Sequence, residues 1–264
     1  MDSIQWYFLV FVLIAVIAEI IWSNYKKKDT HSLNESLGNL GVFVGNQLIK
    51  PISFAFKYMV LEWVAEFKFF EISVNSFTII ITFLAVEFIY YWYHRLSHEI
   101  PILWALHHTH HSALKFNLTT AVRLNWLGLF VSPLFYIPLA LIGLSPEIIV
   151  TCLAVGLFYQ YFLHTEAVKK LGIFEGLFFN TPSAHRVHHG SNEKYIDKNY
   201  GAMLIVFDKL FGTYQREEEK VKYGVTSGFF SNNPLIINFR PLGEYFKGNW
   251  KREKHKVQEQ QPKK

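Results

Sequence analysis

The chain has 264 residues, of which 51% are hydrophobic, 17% aromatic and only 18% charged, a balance typical of a membrane protein. Its single cysteine, Cys152, excludes an intrachain disulfide and any metal site built from several thiolates, so a metal would be held by nitrogen and oxygen ligands. The net charge of +5 is concentrated in residues 251–264, where six Lys/Arg against two Glu supply +4, which indicates a basic disordered tail near anionic lipid and no nucleic-acid partner.

Five apolar segments are predicted to be membrane helices, because about 20 apolar residues span the hydrocarbon core of a bilayer. In chain order they cover about residues 4–22, 37–63, 77–92, 126–144 and 147–163. No small-residue cleavage pattern follows the first segment, so it reads as an anchor, and the lysines at 26–28 place its C-terminal end in the cytosol. Lys50 and Pro51 interrupt the second segment, which leaves open a kinked span or a re-entrant pair.

The last two segments are predicted to form a hairpin, since only a short turn with Ser145 and Pro146 joins them. A chain that crosses and returns directly comes back to the face that it left. His111 and His164 therefore lie on one side, which is the cytosol if all five segments span. We expect residues 93–125 and 164–250 to form a cytosolic helical cap, within a single domain of residues 1–250.

Most of the histidines lie in three groups, in each of which the first histidine is followed by others three or four residues later. The groups are His94 and His98, then His107, His110 and His111, then His185, His188 and His189. Because residues at these intervals share one helix face, the groups can converge on a pair of metal ions. Imidazole suits iron, zinc, copper and nickel, so spacing does not choose the metal. His31 and His255 are interpreted as ordinary polar residues, and His108 falls outside the spacing rule.

Glu87 is an ionisable group inside the third predicted helix, on the same face as Tyr91, His94 and His98. We expect its carboxylate to accept the outer N–H of a ligand histidine, with pairing to a buried cation as the alternative. Weaker candidates for a similar role are Glu166, Asn192, Asp197 and Asn199, because polar residues in turns commonly bond only to the backbone.

The sequence resembles the fatty acid hydroxylase superfamily of membrane di-iron enzymes, which includes sterol desaturases and alkylglycerol monooxygenases. The resemblance covers roughly residues 77–215 and rests on EFIYYWYHRLSHE, LWALHHTHHS, FLHTE and NTPSAHRVHHGSNEKYIDKNYG. The last two motifs look most like the alkylglycerol monooxygenase branch. The resemblance implies an all-α, multi-pass membrane bundle whose cytosolic cap carries two irons. By position, the implied ligands are His94, His98, His107, His110, His111, His164, His185, His188 and His189.

Two positions depart from relatives of this type. Ala184 stands where members of this branch usually have a histidine, so a proton-handling role could be missing and an altered or inactive member is an open alternative. Val168 stands where ceramide-type members have a histidine, which argues against that branch.

The function that the resemblance implies is oxidation of a lipid C–H bond with O2, by hydroxylation, by ether cleavage of an alkylglycerol, or by desaturation of a sterol or fatty acyl chain. No flavin or dinucleotide fingerprint and no fused haem domain is evident, so electrons must come from a separate reductase, an electron carrier or tetrahydrobiopterin. The alternative is a redox-silent zinc protein that acts as a hydrolase or metal store. The implied location is an integral membrane position with the active site facing the cytosol, in the inner membrane if bacterial or the endoplasmic reticulum if eukaryotic.

Overall fold

A computed structural model describes residues 3–249, which form ten α-helices joined by loops and short 3-10 turns. The α-helices are α1 (Ser3–Tyr25), α2 (Leu33–Ala65), α3 (Ser76–Glu99), α4 (Pro101–His111), α5 (Gly128–Val131), α6 (Ile137–Ile142), α7 (Pro146–Tyr161), α8 (Pro182–His188), α9 (Val206–Leu210) and α10 (Pro234–Phe246). Within residues 3–249 there is no β-strand, only an isolated bridge between Phe179 and Leu204. The predicted all-α fold is confirmed. The predicted tail at 251–264 lies outside the described residues.

The predicted apolar segments become helices, with two differences of detail. The second segment is one continuous helix, α2, with Pro51 inside it. The fourth segment, predicted as one helix over 126–144, is instead broken into α5, a 3-10 helix at Ser132–Tyr136 and α6. Pro133 and Pro138 explain the break, because proline lacks an N–H and its ring clashes with the preceding helical turn.

Helices α2, α3, α6 and α7 pack around an apolar core. Buried residues of that core include Leu61, Val86, Leu139, Ile149 and Leu153. Helix α3 runs past the predicted boundary at residue 92 to Glu99. His94 and His98 therefore lie on the same helix as the core residue Val86. Helix α4 packs against both α3 and α10, which places its histidines beside the end of α3.

Among the described helices, α3 alone is both long and apolar enough to cross a membrane by length and composition. Shorter apolar helices cover Val10–Tyr25, Gly128–Ile142 and Pro146–Tyr161. Large apolar side chains on several of these helices point outward, such as Ile14, Ile80 and Leu157.

Candidate metal centre

The nine histidines come together where the ends of α3, α4, α7 and α8 meet, and they form two groups. The larger group is His94, His98, His107, His111 and His188, and the smaller group is His110, His164, His185 and His189. Within each group the candidate ligand atoms lie within 4.8 Å of one another. The sequence predicted that these residues converge, but their division into five and four is a finding of the structure.

Helix geometry explains the division. Successive residues of an α-helix are turned by about 100°, so neighbouring histidines face different directions. On α4, His110 faces the smaller group and His111 the larger. At the C-terminal end of α8, His188 faces the larger group and the C-cap residue His189 faces the smaller. The two segments 107–111 and 185–189 therefore each contribute histidines to both groups, which places the groups side by side.

Backbone carbonyls orient three of the rings. The Nδ1 atom of His94 donates to the Tyr200 carbonyl at 2.7 Å, that of His164 to the Gln160 carbonyl at 2.9 Å, and that of His188 to the Lys198 carbonyl at 2.9 Å. Because a carbonyl can only accept, Nδ1 carries the proton in each ring. The lone pair of the neutral ring is then on Nε2, the nitrogen that faces the centre of the group.

The inner nitrogens of each group lie close enough together to bind one shared cation. The Nε2 atom of His164 lies 3.1 Å from that of His110 and 3.0 Å from that of His185. In the larger group, Nε2 of His94 lies 3.0 Å from that of His107. Among the described residues, Nε2 of His98, His188 and His189 has no hydrogen-bond partner. A metal ion in each group would satisfy these buried lone pairs together, so the residues present fit a pair of metal ions.

The electrostatics of the site also favour metal ligation. Burial and the neighbouring imidazoles hold the pKa of six rings well below the ordinary histidine value. These rings are His107, His110, His111, His185, His188 and His189. Since they are neutral at physiological pH, their lone pairs are available without displacement of a proton.

The loop after α8 supplies the outer contacts of the larger group. Asp197 Oδ1 lies 3.6 Å from Nδ1 of His98, within ion-pair distance but longer than a hydrogen bond, so the carboxylate faces the outer nitrogen of that ring. Asp208 holds the same loop, because its carboxylate accepts from the backbone N–H of Tyr200 at 2.7 Å and of Gly201 at 2.8 Å. The sequence made Asp197 a weaker candidate and missed Asp208.

Glu87 does not play the role that the sequence predicted. Its buried carboxylate accepts from the backbone N–H of Met203 at 2.9 Å and of Leu204 at 2.8 Å, and not from a histidine. The prediction of a ligand-histidine partner is wrong because the outer N–H of His94 is already taken by a carbonyl of the neighbouring loop. Glu87 instead joins that loop to α3.

Glu166 is half-buried beside Tyr223, and its contribution to the centre stays a prediction. The Tyr223 ring stacks on Phe116 with 4.9 Å between centroids, and Phe116 in turn stacks on the ligand candidate His164. The rings of Tyr223 and Phe116 therefore lie between the Glu166 side chain and His164 of the smaller group.

Two acids of the N-terminal helices, which the sequence analysis missed, hold the segment that follows α4. Glu19 of α1 accepts from the backbone N–H of Leu118 at 2.8 Å. Glu35 of α2 accepts from Leu114 and Lys115 at 2.8 and 3.0 Å. Glu19 could have been identified from the sequence by the argument used for Glu87, because it too is an ionisable residue within an apolar helix. These contacts tie the first two helices to the histidine-bearing part of the chain.

Ala184 contributes to the site through hydrogen bonds of its backbone. Its N–H donates to Oγ1 of Thr181, the N-cap of α8, and its carbonyl accepts from Nδ2 of Asn199. Helix α8 therefore forms, and its two histidines and the C-cap His189 converge, without a histidine at position 184.

A cleft of about 50 Å³ opens onto the larger group. His98, His111 and His188 line it together with Trp104, Asp197 and Thr226. A small molecule could therefore reach the larger group without passing through the helix bundle.

Asp197 and Glu87 are expected to differ in their effect on metal binding. Asp197→Asn should weaken metal affinity by about 10 to 100 fold, since the carboxylate faces the outer nitrogen of His98. Glu87→Gln should leave metal affinity nearly unchanged, because an amide oxygen can still accept from the two backbone N–H groups. Competition with a metal chelator measures both. Equal affinities in the two variants would refute the assignment of Asp197.

An all-helical fold that buries two adjacent groups of histidines is typical of proteins that bind a pair of transition-metal ions. The fatty acid hydroxylase family model matches residues 79–213, about half of the chain and the part that contains all nine histidines. The chain belongs to the fatty acid hydroxylase family.

Similar proteins include alkylglycerol monooxygenases and a bacterial lipid hydroxylase. The alkylglycerol monooxygenase of Homo sapiens is 46% identical over 168 residues, which cover 64% of this chain and 37% of that protein. The alkylglycerol monooxygenase of Xenopus tropicalis is 37% identical, over 88% of this chain and 52% of that protein. Ornithine lipid hydroxylase OlsE of Rhizobium tropici is 32% identical, over 53% of this chain and 42% of that protein.

The chain spans about a third to a half of the length of the alkylglycerol monooxygenases that it matches. No solved structure matches the sequence at a significant level.

Proposed function

We propose that this protein is a membrane di-iron oxygenase that oxidises a C–H bond of a lipid. The observation that supports the proposal most strongly is the pair of adjacent, buried histidine groups, each able to hold one ion, in a chain of the fatty acid hydroxylase family. Two bound irons would supply the activation of O2. Hydroxylation places one oxygen atom in the C–H bond and converts the other to water, so each turnover consumes two electrons and two protons.

The chain's own residues would bind and orient this centre. The nine histidines would be the ligands, five to one ion and four to the other. The carbonyls of Tyr200, Lys198 and Gln160 would fix the ring orientation of three of them. Asp197 would strengthen ligation by His98. The electrons would come from a separate reductase, an electron carrier or tetrahydrobiopterin.

An alkylglycerol ether is the substrate class that the comparisons favour, because several relatives carry the name alkylglycerol monooxygenase. Hydroxylation of the carbon next to an ether oxygen gives a hemiacetal, which breaks into an aldehyde and an alcohol. Hydroxylation of another lipid and desaturation of a sterol or fatty acyl chain are the other products to look for.

Lipid analysis tests the proposed activity. Membranes that contain the wild-type protein or the His185→Ala variant would be given reductant and 18O2, and their lipid extracts compared. We expect one labelled oxygen atom in a lipid product, or the aldehyde released from it, only with the wild type and only with oxygen present. Identical extracts in all conditions would contradict the proposed activity.

We further propose that the five apolar segments span the membrane, with residues 93–125 and 164–250 on the cytosolic side of a single domain over residues 1–250. Two observations support this: the lysines at 26–28, and the 3.1 Å contact between His110 and His164, which flank the two segments of the proposed hairpin. The centre would then face the cytosol, in the inner membrane of a bacterium or the endoplasmic reticulum of a eukaryote.

A reporter fused to the C-terminus should therefore behave as cytosolic. A pair of reporters, one active only in the cytosol and one active only outside it, measures the sidedness. A C-terminus outside would show that the number of spans is even or that the lysine run faces the other way.

A further inference from the structure

An exposed apolar surface lies outside the metal centre, on two stretches of the proposed cap. The first stretch is 173–179, in which Ile173 is 87% and Phe174 66% exposed. The second is 206–211, in which Leu210 is 73% exposed. So many large apolar side chains on neighbouring stretches mark an interaction surface. We refer to 173–179 and 206–211 together as the apolar surface.

Backbone and side-chain contacts join the two stretches into one. The backbone N–H of Ile205 donates to the Phe178 carbonyl at 2.9 Å. Nζ of Lys209 donates to the Leu177 carbonyl at 3.2 Å. The two stretches therefore lie side by side.

The apolar surface lies beside the end of the proposed span 77–92. The ring of Phe207 contacts Phe88, with 5.6 Å between centroids, and the ring of Phe211 contacts Trp92 at 5.1 Å. Phe88 and Trp92 lie in the proposed span 77–92, before the first histidine of α3. The other stretch also contacts a proposed span, since the ring of Phe179 lies 6.5 Å, between centroids, from that of Tyr159 in α7.

The charges around the apolar surface are complementary to phosphate headgroups. Lys169, Lys170 and Lys209 are exposed beside it. The two acidic residues of the apolar surface do not present free carboxylates to its exterior. Glu175 accepts from the Leu171 N–H and from the Ser183 hydroxyl, and Asp208 is fully buried. Basic residues next to exposed aromatic and aliphatic side chains are typical of segments that lie in a membrane interface.

We propose that the apolar surface inserts into the boundary between headgroups and acyl chains of the leaflet that faces the metal centre. This inference rests on the membrane placement in the proposed function, and it changes the expectation that residues 164–250 form a cap surrounded by water. Residue 179 is followed directly by Asn180, Thr181 and helix α8. The inserted segment thus leads from the lipid interface to the smaller histidine group.

Depth measurement by spin labelling tests this proposal. In a Cys152→Ala background, a nitroxide would be attached at Ile173→Cys or Leu210→Cys in the full chain, reconstituted in bilayers that contain anionic phospholipid. Leu157→Cys, on the proposed span α7, is the matched lipid control, and Glu193→Cys, an exposed loop position, is the matched water control. Collision with O2 and with a water-soluble nickel chelate gives the depth of each label.

We expect the labels at 173 and 210 to lie about 5–10 Å below the headgroup level, like an interfacial helix. If both behave like the label at 193 while the label at 157 is in lipid, the apolar surface is in water and free for a protein partner, and the proposal is wrong although the membrane placement stands. If the label at 157 is itself in water, the membrane placement fails and this inference fails with it.

Discussion

Replacement of one histidine in each group is expected to abolish lipid oxidation, because a two-metal reaction needs both ions. His110→Ala leaves three imidazoles in the smaller group, and His188→Ala leaves four in the larger. Metal content should therefore fall in both variants and fall further in His110→Ala. The loss of activity should exceed the roughly 10 to 100 fold that is usual for residues that touch only a ligand. Metal per chain and product formation are measured in one membrane preparation.

His255→Ala is the control for this pair, since that histidine lies in the basic tail, outside the residues 79–213 that match the family. It should keep full metal content and activity. Full activity in either His110→Ala or His188→Ala would show that the two groups do not work as one centre.

Arg186→Ala is expected to have the largest effect on stability. Two nitrogens of its guanidinium donate to the carboxylate of Glu217 at 3.1 and 2.8 Å, and a third donates to the carbonyls of Thr165 and Val168. Removal of one partner of a buried ion pair costs about 3–5 kcal/mol, because the other charge is left unpaired. Thermal unfolding in detergent should therefore shift to lower temperature, and the metal should be lost with α8.

Lys194→Ala is the matched control. Lys194 pairs with Glu218 and Glu219 on the surface, and such exposed ion pairs contribute little to stability. Equal stability of Arg186→Ala and Lys194→Ala would mean that the buried pair does not hold α8.

The sequence predicted the histidines correctly as a converging set because the signal is local. Spacings of three and four place side chains on one helix face whatever the rest of the fold does. It could not predict the division into two groups, which depends on how α4 and α8 are rotated relative to each other and to His164. That rotation is set by tertiary packing.

The hydrogen-bond partners of Glu87 could not be predicted from the sequence either, because they too depend on tertiary packing. Its position on the face of α3 that carries the histidines was read correctly, but its hydrogen-bond donors belong to residues 203 and 204, more than a hundred positions away. Asp208 likewise contacts the backbone of Tyr200 and Gly201, in the loop that orients His94. No sequence spacing could predict which loop packs against a distant helix. The break in the segment 126–144 could have been predicted from the sequence, because Pro133 and Pro138 lie inside it.

Iron content of the purified chain tests the central claim most directly. The protein would be produced in iron-rich medium, purified in mild detergent and analysed for iron and zinc, and lipid oxidation would be measured on the same sample. We predict close to two irons per chain and product formation that requires O2, since the two histidine groups fit one ion each. Stoichiometric zinc, with no activity gained after reconstitution with ferrous iron, would contradict the account and favour a redox-silent zinc protein.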